Sequence, residues 1–419
     1  MVNRKIAPSF VKSTQFELLD AEVFQLSGNN KIHFISGGDQ EVVKIELVFP
    51  AGRWFESSSG ISHFAATLLP KGTQSKTSSE ITSLLDYYGL HLEINPGFDF
   101  TSVTLYGLSK YIDRVLDVLL EIISSPTYPE NELQQAKDIF RQGLKINLEK
   151  TNFLASRQFR KTLFGPLYPY GKDIELEDID AVDQPQLLNF NKQHFKNFLA
   201  FVSGKPTEQL KSQLVDKLRQ LHPNSIKQET LTRNQSLTTD SFEPKNNSVQ
   251  TSIRTGKMMI ARDHSDYPAV LLLNHILGGF FGSRLMKNIR EEKGLTYGIH
   301  SSIHALKHDS YLAIGADVNK ENREVTIDEI KKEIALLRME PISENELETV
   351  RNHFIGSLQS DMSTPFAHAD KHKVISLFNL QKDYYQQLIH SLSTLTKLNL
   401  LNTAQKHFSD ENLVTVSVG

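Results

Sequence analysis

The chain has no cysteine, which excludes disulfides, thiolate metal sites and a cysteine nucleophile together. It has no run approaching the roughly 18 apolar residues that a membrane-spanning helix needs, so no membrane partner is expected. The first ten residues, MVNRKIAPSF, lack the apolar stretch of a secretory signal. The expectation is a cytoplasmic protein, with the periplasm as the alternative if a leader has been removed. A dominant charge is also missing: 46 Lys and Arg against 49 Asp and Glu leave a net charge of -3. Without a basic field, no nucleic-acid partner is expected. What remains is ordinary globular composition, 39% hydrophobic and 23% charged, without low-complexity tracts. At 419 residues the chain exceeds one ordinary core, so two or more domains are expected.

The two halves resemble each other. Pro129-Glu130-Asn131-Glu132-Leu133 and Ser343-Glu344-Asn345-Glu346-Leu347 each precede a helical run. Upstream of the first lie Gly89-Leu90, the alternating stretch HLEINPGFDFTSVTLYG and an amphipathic segment from Lys110 to Ile123. Upstream of the second lie Gly294-Leu295, the alternating stretch TYGIHSSIHALKHDSYLAIGA and a helical segment from Glu321 to Leu337. Each half therefore reads helix, two strands, helix, helix. Period-two alternation indicates half-buried antiparallel strands, and the 3.6-residue pattern indicates helices on one sheet face. The fold class is α+β: two duplicated homologous domains, each a mainly antiparallel sheet with helices on one face. Runs at Phe198–Gly204 and Leu413–Gly419 would close each half with a last strand. The divisions are residues 1–205, a polar inter-domain connection at 206–250, and residues 251–419.

Gly60-Ile61-Ser62-His63-Phe64-Ala65-Ala66-Thr67 has the outline of a damaged zinc-hydrolase motif. The inverted signature H-x-x-E-H places two His ligands on one helical face with a Glu base between them. Here His63 survives, while Ala66 and Thr67 hold the Glu and second His positions. A methyl group takes no proton from water, and one imidazole does not hold zinc alone. The other histidine sets offer no replacement. His300, His304 and His308 lie in a stretch read as strands, where residues four apart are about 13 Å from one another. His368 and His372 fall on an expected helix, but no carboxylate base accompanies them. Both sets read as solvated or interfacial histidines. The glycines of GGFFGS lack the Lys-Ser/Thr of a phosphate loop, and Ser62-His63 adjacency does not make a triad.

With Phe49-Pro50-Ala51-Gly52-Arg53-Trp54-Phe55-Glu56 before it and Lys71-Gly72-Thr73 after it, the degraded motif resembles the pitrilysin/insulinase/mitochondrial processing peptidase family. The similarity extends over nearly the whole chain, and the length resembles the short branch whose members pair two chains into one protease. The family's third zinc ligand is a downstream helical Glu, and counting on from Thr67 lands on Gln142, whose neutral amide binds zinc far more weakly. Glu149 lies seven residues further on, but rescuing it leaves Ala66 and Thr67 wrong. The second half keeps the family's other signature. Gly278-Gly279-Phe280-Phe281-Gly282-Ser283-Arg284-Leu285 is followed by Ile289-Arg290-Glu291-Glu292-Lys293-Gly294-Leu295-Thr296-Tyr297. The resemblance makes Arg290 and Tyr297 the pair that faces zinc across a closed chamber. Such types suit the task, since peptide hydrolysis builds negative charge on the carbonyl oxygen. A Tyr hydroxyl meets that oxyanion, and Arg holds a substrate carbonyl with a forked, permanently charged donor set.

The resemblance thus implies a non-zinc subunit that binds no cofactor and supplies Arg290 and Tyr297 to a zinc-bearing sister chain acting on unfolded peptides. A homodimer is open in isolation. The competing expectation is a purely structural or binding subunit of a larger assembly.

Overall fold

The structure, a computed structural model, describes residues 17–223, 231, 233 and 240–419. The N-terminal half begins with β1 (Glu22–Gln25), β2 (Lys31–Ser36) and β3 (Val42–Phe49), then α1 (Ile61–Thr67) and α2 (Ser78–Tyr88). A hairpin of β4 (His91–Pro96) and β5 (Thr101–Leu108) follows, then α3 (Ser109–Ile112), α4 (Leu116–Ser124), α5 (Glu130–Leu148) and α6 (Thr151–Phe164). The half closes with α7 (Leu176–Ala181), α8 (Gln184–His194), β6 (Leu199–Gly204) and α9 (Glu208–Leu218). The C-terminal half opens with β7 (Asp240–Glu243), β8 (Gln250–Met259) and α10 (Tyr267–Gly278), then a π-helix, Met286–Glu292. The hairpin of β9 (Thr296–Ala305) and β10 (Ser310–Asn319) is followed by α11 (Arg323–Met339), α12 (Glu344–Ser360) and α13 (Pro365–Leu377). Helices α14 (Tyr384–Thr394) and α15 (Lys397–His407) lead to β11 (Val414–Val418).

The duplication is visible in the sheets. Leaving out β1, the first sheet runs β2-β6-β3-β5-β4 and the second runs β7-β11-β8-β10-β9. In both, the first pair is parallel and the other three are antiparallel. The fold is α+β with two homologous, mainly antiparallel domains. The repeated ENEL segments start α5 and α12, with acidic residues in both first turns, where they complement the positive end of the helix dipole.

Two boundaries differ from the sequence reading. The polar stretch 206–250 contains α9, whose Leu210, Leu214, Val215 and Leu218 are buried in the N-terminal core. Its apolar stripe is short and flanked by Lys and Gln, so composition hid it; residues 224–230, 232 and 234–239 of that stretch lie outside the described residues. The second half also begins earlier than residue 251, since β7 and the start of β8 belong to its sheet.

Each half's own helices pack on one face of its sheet, and a helix of the other half covers the opposite face. On β3, Val43, Ile45, Leu47 and Phe49 enter the N-terminal core, while Val48 joins a separate cluster with Ala369 of α13. On β10, Leu312, Ile314, Ala316 and Val318 enter the C-terminal core, while Tyr311 packs with Phe159 and Phe164 of α6. Each half therefore lends a helix to the other's sheet. Gly256 is required where β8 runs under α6: a Cβ there would collide with the Leu312 carbonyl of the neighbouring strand and come within 2.9 Å of the Phe159 ring. Polar groups match across both seams. Lys373 of α13 bonds Glu46 at 2.8 Å, and Arg254 of β8 donates to the Ser156 hydroxyl at 3.1 Å. His368 accepts from the Leu19 N–H at 3.1 Å, and His372 Nε2 lies 2.8 Å from the Leu19 carbonyl. Among the described residues no helix is long and apolar enough to cross a membrane.

Candidate functional site

The degraded motif forms α1 as expected. Gly60 precedes it in the left-handed region, φ 94°, where glycine is favoured. Glu56 caps it, accepting from the Ser62 amide at 2.9 Å and the Ser62 hydroxyl at 2.5 Å. Burial pushes the Glu56 carboxyl above its usual range, against those hydrogen bonds. His63 lies among aromatic rings, 4.5 Å from the Phe140 centroid and 5.2 Å from Phe64. Burial, reinforced by the charge on Arg53, pushes its imidazole down to about 4, so it is neutral at pH 7. Ala66 is fully buried, and the Thr67 hydroxyl donates back to the His63 carbonyl at 2.9 Å.

Gln142 is exposed. The face of α5 turned inward carries Leu133, Ala136, Phe140 and Leu144, and two residues on a helix is about 200° of rotation. Phe140, which sequence counting passed over, is the α5 side chain that meets His63. The places of the base and the second histidine hold a methyl and a committed hydroxyl, and the α5 side chain against His63 is a phenyl ring.

The second motif is built differently. Arg290 lies on the π-helix, and the Leu295 amide closes back onto the Ile289 carbonyl at 2.9 Å. Single-turn π segments are rare and frequent at functional sites. Buried Asn288 anchors the turn by donating to Glu329 and Glu333 of α11 at 2.9 and 2.7 Å. Arg284 grips Glu346 of α12 with two bonds of 2.8 Å. The Arg290 guanidinium lies over the ring of the exposed Phe281, 4.7 Å from its centroid.

Tyr297 is the second residue of the edge strand β9 and is 93% exposed. Thr296 pairs with Val318 and Ile299 with Ala316, so β9 carries one extra residue opposite Asp317. This bulge re-aims the side chain, and the Thr296 hydroxyl pins it by donating to the Asp317 carbonyl at 2.7 Å.

The two motifs are kept apart within the chain. The loop before α1 meets the far end of the β9–β10 hairpin, where Trp54 stacks on His308 at 3.8 Å. There, buried Asp99 accepts from the Tyr170 hydroxyl at 2.5 Å and the Lys307 amide at 3.0 Å; burial pushes its carboxyl upward. Tyr297 is at the other end of β9, roughly 27 Å along the strand from Ala305 at about 3.4 Å per residue. The histidines of the β9–β10 hairpin do not converge: His304 stacks on Tyr311, His308 on Trp54, and His300 faces Gly315 across the hairpin.

A fold of two such halves, one with a zinc-hydrolase helix without its base, defines a peptidase-type scaffold. Residues 34–168 match the model of the insulinase family, peptidase family M16, and residues 181–354 match the peptidase M16 inactive domain. The chain belongs to that family, and its α1 lacks the base and the second histidine of the inverted zinc signature. An uncharacterized zinc protease of Bacillus subtilis, YmxG, is 21% identical over 84% of this chain and 87% of its own length. A protein of Helicobacter pylori described as a non-peptidase homolog is 23% identical over 75% of this chain and 74% of its own. Among solved structures, a peptidase M16 inactive domain from Pseudomonas fluorescens superposes with a TM-score of 0.88 at 22% identity. It covers 96% of this chain and 98% of that one.

Proposed function

We propose that this chain is the non-zinc subunit of a two-chain metallopeptidase, lending Arg290 and Tyr297 to a zinc-bearing sister chain. The observation that carries the reading is Tyr297 itself. A bulge and a hydrogen-bonded turn hold it almost wholly in solvent, a costly place for an aromatic ring without a role. In the assembled enzyme the sister chain would hold the zinc, which would supply the activation of water for hydrolysis. Tyr297 donates to the oxyanion and Arg290 grips a neighbouring substrate carbonyl. The substrate is an unfolded peptide enclosed between the two chains. Separation of the two motifs along β9 favours action in trans over action on the chain's own α1.

A purely structural subunit is the second reading, favoured by the Helicobacter pylori relative's description as a non-peptidase homolog. The test is peptide hydrolysis by this chain alone, by a zinc-bearing relative from the same genome alone, and by the mixture. Activity in the mixture above the sum of the parts supports complementation. A mixture no faster than the zinc chain alone rejects it and leaves the structural subunit.

A further inference from the structure

We infer that His264, Asp266 and His407 form a binding site for one divalent transition-metal ion, independent of the degraded α1 motif. They meet where the N-terminus of α10 abuts the C-terminal turn of α15. This is the side of the second sheet turned away from the helix lent by the N-terminal half. One donor atom from each lies within 4.8 Å of the others, the one such group of three among the described residues.

The donors fit a borderline cation. Two imidazoles and one carboxylate suit Zn²⁺, Co²⁺ or Ni²⁺, whereas Mg²⁺ and Ca²⁺ take oxygen ligands. Tetrahedral zinc with bonds of 2.0–2.1 Å sets its ligand atoms roughly 3.3 Å apart. His407 Nε2 and Asp266 Oδ2 are 2.8 Å apart and share the Nε2 proton, so admitting an ion requires that proton to leave, as in the Nδ1–H tautomer, and the two atoms to part by about half an ångström. His264 Nδ1 accepts from the Asp266 amide at 3.0 Å, so that nitrogen carries a lone pair and an ion has one hydrogen bond to displace. The two imidazole rings stand nearly perpendicular, at 81°, with centroids 5.7 Å apart.

The supporting backbone is firm. Asp266 precedes the first turn of α10, whose Tyr267, Val270 and Leu273 are buried. His264 is held by a turn in which the Tyr267 amide bonds its carbonyl at 3.0 Å. His407 ends α15 beside the buried Phe408. One neighbour opposes a cation: Lys406 Nζ lies 3.7 Å from Asp266 Oδ2, but its side chain is 65% exposed and free to swing outward. His368 and His372 offer no rival site in place, since both engage the Leu19 backbone.

The test is a Co²⁺ titration of the full tag-free chain, read by visible absorbance and competed with Zn²⁺. One Co²⁺ per chain is expected, with affinity falling tenfold or more in both His264→Ala and Asp266→Asn and rising severalfold in Lys406→Ala. His63→Ala and His372→Ala are expected to bind as the parent does. Saturating Zn²⁺ is expected to raise the melting temperature of the parent and not of Asp266→Asn, which also shows whether each variant is folded. The absence of saturable binding overturns the assignment, as does binding unchanged by His264→Ala and Asp266→Asn or abolished by His63→Ala.

Discussion

The two halves share one sheet topology, strand for strand, yet treat their chemical motifs in opposite ways. In the N-terminal half, α1 keeps one histidine, and the surrounding space has closed with Ala66, Phe64 and Phe140. In the C-terminal half, Arg290 and Tyr297 sit on a π-helix and a β-bulge, two irregularities that a decaying scaffold would have no reason to hold in place. A site whose polar groups have given way to methyl and phenyl gains stability, and one that holds an aromatic ring in solvent forgoes it. The contrast is between a motif enclosed in a packed core in one half and a motif carried on exposed, irregular backbone in the other.

The comparison can be broken in graded steps. The largest expected effect is on the seam that holds the halves in register. Phe159→Ala removes a ring that is 2% exposed beneath α6 and is expected to cost about 3–5 kcal/mol in chemical denaturation. Ala66→Glu, which restores the missing base, forces a larger polar side chain into a fully buried site. A loss of about 1–3 kcal/mol from overpacking is expected, and equilibrium dialysis is expected to find no ion coordinated by His63. Asp99→Ala strips the acceptor from the Tyr170 hydroxyl and the Lys307 amide, for a loss of roughly 1–3 kcal/mol.

Acid supplies a smaller, pH-resolved effect. Burial lowers the imidazoles of His33, His63, His194 and His275 to about 4, so the unfolded chain binds more protons than the native one between about 4 and 6.5. Their stabilising contribution is present above pH 6.5 and is lost as pH falls through that window. Melting temperature is therefore expected to fall from pH 7 toward pH 4, and His63→Phe is expected to flatten part of that fall. A profile unchanged by His63→Phe would contradict the enclosed state of the old zinc position.

Much of this was legible in the sequence because the signals were local. Alternation gave the β4–β5 and β9–β10 hairpins, and the repeated ENEL marked the starts of α5 and α12. Non-local features left no comparable trace. Nothing in the periodicity of α6 or α13 says that each packs on the other half's sheet, because an apolar stripe does not name its partner. Gln142 was reached by counting along the chain, whereas the helix phase set by Leu133, Leu144 and Phe140 turns it to solvent. The group His264, Asp266 and His407 was invisible because its members lie in two segments about 140 residues apart, joined only by the packing of α10 on α15.

The central claim, that one half has surrendered its chemistry while the other lends its own, is tested most directly by two variants in one reconstituted enzyme. Tyr297→Phe and His63→Ala would each be mixed with the zinc-bearing partner and assayed for kcat/KM on an unstructured peptide. The expected result is a fall of roughly two orders of magnitude or more for Tyr297→Phe, as for removal of one oxyanion donor, with His63→Ala equal to the parent. Equal activity of Tyr297→Phe and the parent, or a comparable fall in His63→Ala, would contradict it.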